Sequence, residues 1–154
     1  MTTFFAMVPV WVAPLFLLLL AMGLRATRRR MTPLAVIGAM PLLGLLSLQN
    51  IASLSPSAWI WGVAAAVYVV DALMGRRLQS RWIIARHGAR IELQGEWITL
   101  TAMMVLFFAG FVLGAARDIA PELITQAGFI LGFVCVVCLA SGQFLGRALA
   151  SLST

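Results

Sequence analysis

Five apolar stretches constrain this chain more than any single motif does, because each is long enough to cross a hydrocarbon core. They run from about Phe4 to Leu24, Pro33 to Leu54, Pro56 to Met74, Trp97 to Ala116 and Pro121 to Leu145. Thr32-Pro33 and Ser55-Pro56 read as helix starts, a capping hydroxyl followed by proline at the first helical position. The rest of the composition agrees: 62% of residues are hydrophobic, 10% are charged, and mean hydropathy is +1.02. That is too few charges to coat a surface facing water. The expected fold is an all-α integral membrane protein: one domain over 1–154, a bundle of about five transmembrane helices with a short cytoplasmic hairpin-like loop at 75–96.

The basic residues orient the bundle. All eleven are arginines. Arg25, Arg28, Arg29 and Arg30 follow the first stretch; Arg76, Arg77, Arg81, Arg86 and Arg90 follow the third; Arg147 follows the fifth. In a five-span arrangement these share one side, and only Arg117 falls opposite, beside Asp118 and Glu122. Four spans would scatter them over both faces. The positive-inside rule therefore puts the N-terminus in the periplasm and the C-terminus in the cytoplasm. The first stretch lacks a basic region before it and is followed by arginines, which suits an uncleaved first span. Net charge is +6, but it lies in short juxtamembrane clusters rather than a stripe interleaved with aromatics. Anionic lipid head groups are the expected partners, with Arg28, Arg29, Arg30, Arg76 and Arg77 as contacts, and nucleic acid is not.

Within 75–96, Trp82-Ile83-Ile84-Ala85-Arg86 and Arg90-Ile91-Glu92-Leu93-Gln94 flank His87-Gly88. The alternation at Ile91 and Leu93 and the glycine predict a short β-hairpin leaning on the bundle or on lipid. Trp82 and Trp97 on one face, and Trp59 and Trp61 on the other, suit the head-group level.

Few residues carry reactive chemistry. Apart from Glu122 at the very start of the fifth stretch, Asp71 is the one acidic residue within an expected span, about four residues before Gly75. It reads either as an interfacial partner for Arg76 or Arg77 or as a proton or solute site inside the bundle. His87 has no companion ligand nearby, so no metal is assigned. Glu92 and Glu96 lie among arginines and read as their partners. Gly110/Gly114, Gly128/Gly132 and Gly142/Gly146 are three small-residue pairs at the spacing that lets helices approach in lipid. The short turn Ala116 to Pro121 puts Gly110 and Gly128 at matched depth, which predicts that the faces bearing Gly110/Gly114 and Gly128/Gly132 meet.

Two resemblances follow from these residues. Cys135-Val136-Val137-Cys138, continuing to Ser141, resembles the intramembrane redox helix of vitamin K epoxide reductases, which implies electron transfer between thiols and a quinone. Those enzymes relay electrons through a second cysteine pair, and this chain has only these two cysteines. The other pattern joins Trp11-Val12, Gly23-Leu24-Arg25, Arg28-Arg29-Arg30, Pro33-Leu34, Gly95-Glu96-Trp97 with Leu100, then Phe107, Phe108 and Pro121. It resembles a family of short bacterial inner-membrane proteins known as a domain of unknown function. The resemblance implies a bacterial inner membrane and carries over no catalytic residue.

The expected role is non-enzymatic: an accessory or assembly subunit, or a scaffold, of an inner-membrane complex. Its partner would be another membrane protein or a second copy, with no cofactor. The alternatives are a small-solute or proton transporter using Asp71, and a quinone-linked thiol oxidoreductase using Cys135 and Cys138.

Overall fold

The computed structural model describes residues 12–39, 41–54, 57–88 and 90–153. The chain is mostly helical. Its elements are α1 (Val12–Ala26), β1 (Arg30–Pro33), α2 (Leu34–Ala39), α3 (Pro41–Ala52), α4 (Ala58–Trp82), β2 (Ile83–His87), β3 (Arg90–Leu93), α5 (Ile98–Ile119), a 3-10 turn (Leu123–Thr125) and α6 (Ala127–Ser153). Among the described residues, α4, α5 and the segment Ala127–Ser151 of α6 are long and apolar enough to cross a membrane; α1 is a shorter apolar helix. The expected start of the first span at Phe4 and the Ser55-Pro56 start signal lie outside the described residues.

Several boundaries differ from expectation. In the stretch from Pro33 to Leu54 the described helix does not begin at Pro33. Thr32 and Pro33 belong to β1, and helix is described over Leu34–Ala39 and Pro41–Ala52. Strand pairing takes the place of a Thr32 cap: Thr32 lies opposite Ile91 and Pro33 opposite Arg90. β1 is an edge strand, where a proline without an N–H is tolerated. The third stretch runs past Gly75 to Trp82; the fifth starts at Ala127 rather than Pro121, after the 3-10 turn, and runs past Leu145 to Ser153. Gly75 marks a helix crossing rather than a helix end, for a Cβ there would lie 2.8 Å from the Gln143 carbonyl oxygen.

The hairpin is present, with Gly88 at φ 60 in its turn. A third strand joins it. The order is β1-β3-β2, all antiparallel, with an irregularity between Ile83 and Ala85. The first and third loops are thus one small sheet, and its inner face buries Ile91 and Leu93 against Ile37 and Ala148. Burying Ile37, Ile91 and Leu93 contributes about 1.5–3 kcal/mol each, which anchors an element too small to persist alone.

α6 is the axis of the bundle. It packs along α4 and also touches α2, α3 and α5. α1 packs on α5, where Phe16, Phe107 and Phe108 form a cluster with ring centroids 5.4–6.3 Å apart. The main apolar core gathers Ile51 and Leu54, Ile60 and Ala64, Leu113, and the α6 row Ile130, Phe133, Val134 and Val137. That row has the i, i+3, i+4, i+7 spacing of a single helix face.

The closest helix contact is not where the sequence places it. A Cβ on Gly110, Gly114, Gly128 or Gly132 would meet nothing within 4 Å. Gly142 and Gly146 make the close approach instead, against α4: a Cβ on Gly142 would sit 2.7 Å from the Tyr68 carbonyl oxygen, and one on Gly146 would overlap the Ala72 carbonyl. With Gly75 reciprocating from α4, backbone meets backbone from both sides. α5 and α6 pack through larger side chains, Ala102 and Met103 against Ala140 and Phe144.

Candidate functional site: a buried arginine network

The sheet end of the bundle holds a polar cluster in an otherwise apolar molecule. Arg147 lies on α6 within the extension past Leu145 and is 2% exposed. It was expected in a tail; it is inside. Its Nε donates to Gln79 Oε1 on α4 at 2.8 Å, Nη1 to Thr99 Oγ1 on α5 at 2.5 Å, and Nη2 to Glu96 Oε1 at 2.6 Å. The Trp82 ring lies 5.4 Å from its guanidinium carbon. A cation over an indole face gains further stabilisation.

Each partner is held in turn. Glu96 precedes α5, and its Oε2 accepts from the Thr99 backbone N–H at 2.9 Å. Thr99 Oγ1 also bonds Glu96 Oε1. A carboxylate there satisfies an amide the helix leaves open and suits the positive end of its dipole. The Glu96 backbone N–H donates to the Ala26 carbonyl at 3.0 Å, tying the end of α1 into the cluster. Gln79, fully buried, donates to Ser151 Oγ at 3.3 Å. One guanidinium thus gathers α4, α5 and α6. Buried ion pairs hold only when the remaining donors and acceptors are met, and here the partners are supplied.

Arg30 stands beside this network. Its Nε donates to Thr32 Oγ1 at 3.2 Å, while its Nη1 is enclosed and has no hydrogen-bond partner among the described residues. Burial pulls the Arg30 guanidinium below its ordinary value; Glu96 opposes that shift, and Arg147 and Arg25 add to it. Arg29, by contrast, is exposed and pairs with Glu92 at 2.7 Å. Glu92 and Glu96 are therefore both arginine partners, as their setting in the sequence suggests.

Asp71 is 4% exposed on the α4 face turned to α6. Gln143 contacts it, and its Oδ2 has no hydrogen-bond partner. Because α4 continues to Trp82, Asp71 is eleven residues from the helix end rather than four. Arg76 and Arg77 are exposed and make no ion pair with it. The structure brings Asp71 together with another candidate, Cys138, and both lie within electrostatic range of Tyr68. Cys138 is buried, Cys135 partly buried, and both are free thiols. Among the described residues no three His, Cys, Asp or Glu side chains gather as a metal site.

Sequence reasoning missed Arg147, Gln79, Thr99 and Ser151 as a group. The signal was the arginine at the end of an apolar run, with glutamine and serine on the facing helices; the helix ends placed too early hid it. Four residues of the second pattern, Gly23, Gly95, Glu96 and Leu100, take part in close contacts around the end of α1. Gly23 packs under Leu100, Gly95 under the Thr27 carbonyl, and Glu96 bonds Ala26.

The open surface is of another kind. A groove of about 710 Å³ runs between α5 and α6, lined by apolar side chains such as Met104, Phe108, Val112 and Phe133, with Gly128 and Gly132 in its wall. No family model, curated protein or solved structure matches the chain.

Proposed function

We propose that the chain is a polytopic protein of a bacterial inner membrane that serves as an accessory or assembly subunit, or scaffold, of a larger complex. The observation that carries this reading is the division of its polar and apolar surfaces. The charged cluster at the sheet end joins α4, α5 and α6, while the groove between α5 and α6 is lined almost wholly by apolar side chains. Such a molecule holds its own shape and presents greasy surface to lipid or to another helix. The arginine distribution supports a periplasmic N-terminus and cytoplasmic C-terminus, with the sheet and the Arg147 network on the cytoplasmic side. The chain crosses the membrane five times on this reading, and its resemblance to the bacterial domain of unknown function supports an inner-membrane location.

Two experiments test it. Native purification in mild detergent should recover a larger membrane protein in fixed ratio with this chain; recovery of the chain alone would argue against an accessory role. Reporter fusions after Thr154 and after Ser53 should read cytoplasm and periplasm respectively. A periplasmic signal at Thr154 would overturn the five-span arrangement.

One observation favours a second reading, transport of a proton or small solute. Asp71 is enclosed between α4 and α6 with one carboxylate oxygen unpartnered, and an acidic side chain within a span is a functional candidate in its own right. On this reading Asp71→Asn abolishes solute-dependent or proton-dependent flux in proteoliposomes while the protein stays folded. Unchanged flux would remove it.

A further inference from the structure

We infer that Arg30 forms an anion site for a phosphate group at the junction of α1 and the sheet. The inference rests on the membrane reading only for the source of that phosphate. Arg30 lies within electrostatic range of one carboxylate, Glu96, and of two other arginines, Arg147 and Arg25. Glu96 is already occupied: one oxygen takes Arg147 Nη2 and Thr99 Oγ1, the other takes the Thr99 amide. Arg30 therefore has no carboxylate of its own. Its neighbour Arg29 does, in Glu92.

The side chain is also built to receive a ligand. Thr32, 6% exposed, fixes Arg30 through Nε, and β1 pairing with β3 fixes the backbone, Arg30 opposite Leu93. That leaves the terminal nitrogens as the free edge, of which Nη1 is enclosed without a partner. Arg30 as a whole remains partly open to the surface, so a ligand has an approach. An unmet, half-desolvated guanidinium beside two like charges is unfavourable. A phosphate supplies acceptor oxygens for the fork and negative charge for the excess at once. Its source is either a lipid head group or free phosphate, since both present the same oxygens.

The full chain, purified in a mild neutral detergent, is titrated with short-chain phosphatidylglycerol, with phosphatidylcholine, and with inorganic phosphate, and the thermal unfolding midpoint is followed. A concentration-dependent rise with phosphatidylglycerol alone assigns the site to an anionic lipid head group. A rise with inorganic phosphate as well assigns it to free phosphate. Arg30→Gln should raise the half-saturating concentration about tenfold or more, as loss of a charge-assisted pair requires, while Arg81→Gln, at an exposed position on α4, stays near wild type. Arg30→Lys, which keeps the charge but not the fork, serves if Arg30→Gln does not fold. No rise with either phosphate source in the wild type, or an undiminished rise in both Arg30 variants, overturns the site. The inorganic-phosphate arm needs no membrane, so failure of the membrane reading would be seen separately, in the fusion reporters.

Discussion

The α4–α6 and α5–α6 contacts are built on the same helix and carry similar small-residue pairs, yet only one of them closes. Along α4, Gly142 and Gly146 bring α6 against bare backbone at Tyr68 and Ala72, and Gly75 returns the approach. Along α5, Gly110, Gly114, Gly128 and Gly132 have nothing within reach of a Cβ, and the glycines of α6 border a groove instead. Spacing alone does not decide. The α4 side combines glycines opposing from both helices with a polar seam, Asp71 with Gln143 and then Gln79 with Arg147 and Ser151, running along the same face. The α5 side meets α6 through Met103, Phe144, Leu113 and Phe133, whose bulk sets the separation before any glycine can matter.

The largest expected effect breaks the closed contact at its polar end. Arg147→Ala leaves the buried Glu96 without its counter-ion and Gln79 Oε1 without its donor, and Glu96→Ala leaves Arg147 without its counter-ion. Removing one partner of a buried pair costs about 3–5 kcal/mol, so either variant should unfold well below wild type in a detergent melt. A double replacement, Arg147→Met with Glu96→Gln, should recover part of the loss. Equal instability of the single and double variants would show that the charges are not coupled.

Next comes the glycine side of the same contact. Gly146→Val places a side chain where the Ala72 carbonyl lies. Either α4 and α6 separate or the helix shifts, at a cost of about 1–3 kcal/mol and sometimes more. The matching change at Gly142 should behave alike, because its Cβ would also meet Asp71 Oδ2 at 3.0 Å. If Gly146→Val melts as wild type does, the closed contact is looser than described.

Much of this architecture was legible in the sequence. Apolar length located the helices α4, α5 and α6, and alternation around Gly88 located the hairpin. The pairing of Glu92 and Glu96 with arginines was readable from charge alone. What escaped was set by contacts between distant segments. β1 exists because β3 offers it an edge, and nothing near Thr32 says so. Gly75 reads as a stop signal in isolation and is a crossing point in the folded chain. Arg147 reads as a tail residue because a charge normally ends a span; it is kept inside by three acceptors from other elements. Choosing among the three glycine pairs needed the facing helix, which matched depth across a short turn could not supply.

A smaller effect separates the two cysteines. Cys138 is 4% exposed within the main core, while Cys135 is only partly buried. As packing residues they should respond to burial: Cys138→Ala loses about 1 kcal/mol by removing buried sulfur contact, and Cys135→Ala loses less. Complementation by the double variant should remain near wild type. Loss of cellular function with the protein folded and abundant would instead support the thiol oxidoreductase reading.

The smallest effect is expected where the sequence pointed first. Gly128→Leu adds a large side chain at an exposed position on α6, and a Cβ there has open space around it. The added atoms would lie along the groove floor near Phe129 and Val112 rather than against a backbone. Replacing glycine within a helix also removes its conformational penalty of about 1 kcal/mol. The melt of the isolated protein should therefore hold steady or rise slightly, within about 0.5 kcal/mol of surface variants generally. The accessory-subunit reading gives the same substitution a second readout. If the groove seats a partner's transmembrane helix, Gly128→Leu fills it and lowers co-purification of that partner while leaving the isolated chain's stability alone. A fall in the isolated protein's melting point would mean that α5 and α6 do close on their glycines, and the contrast between the two contacts would fail.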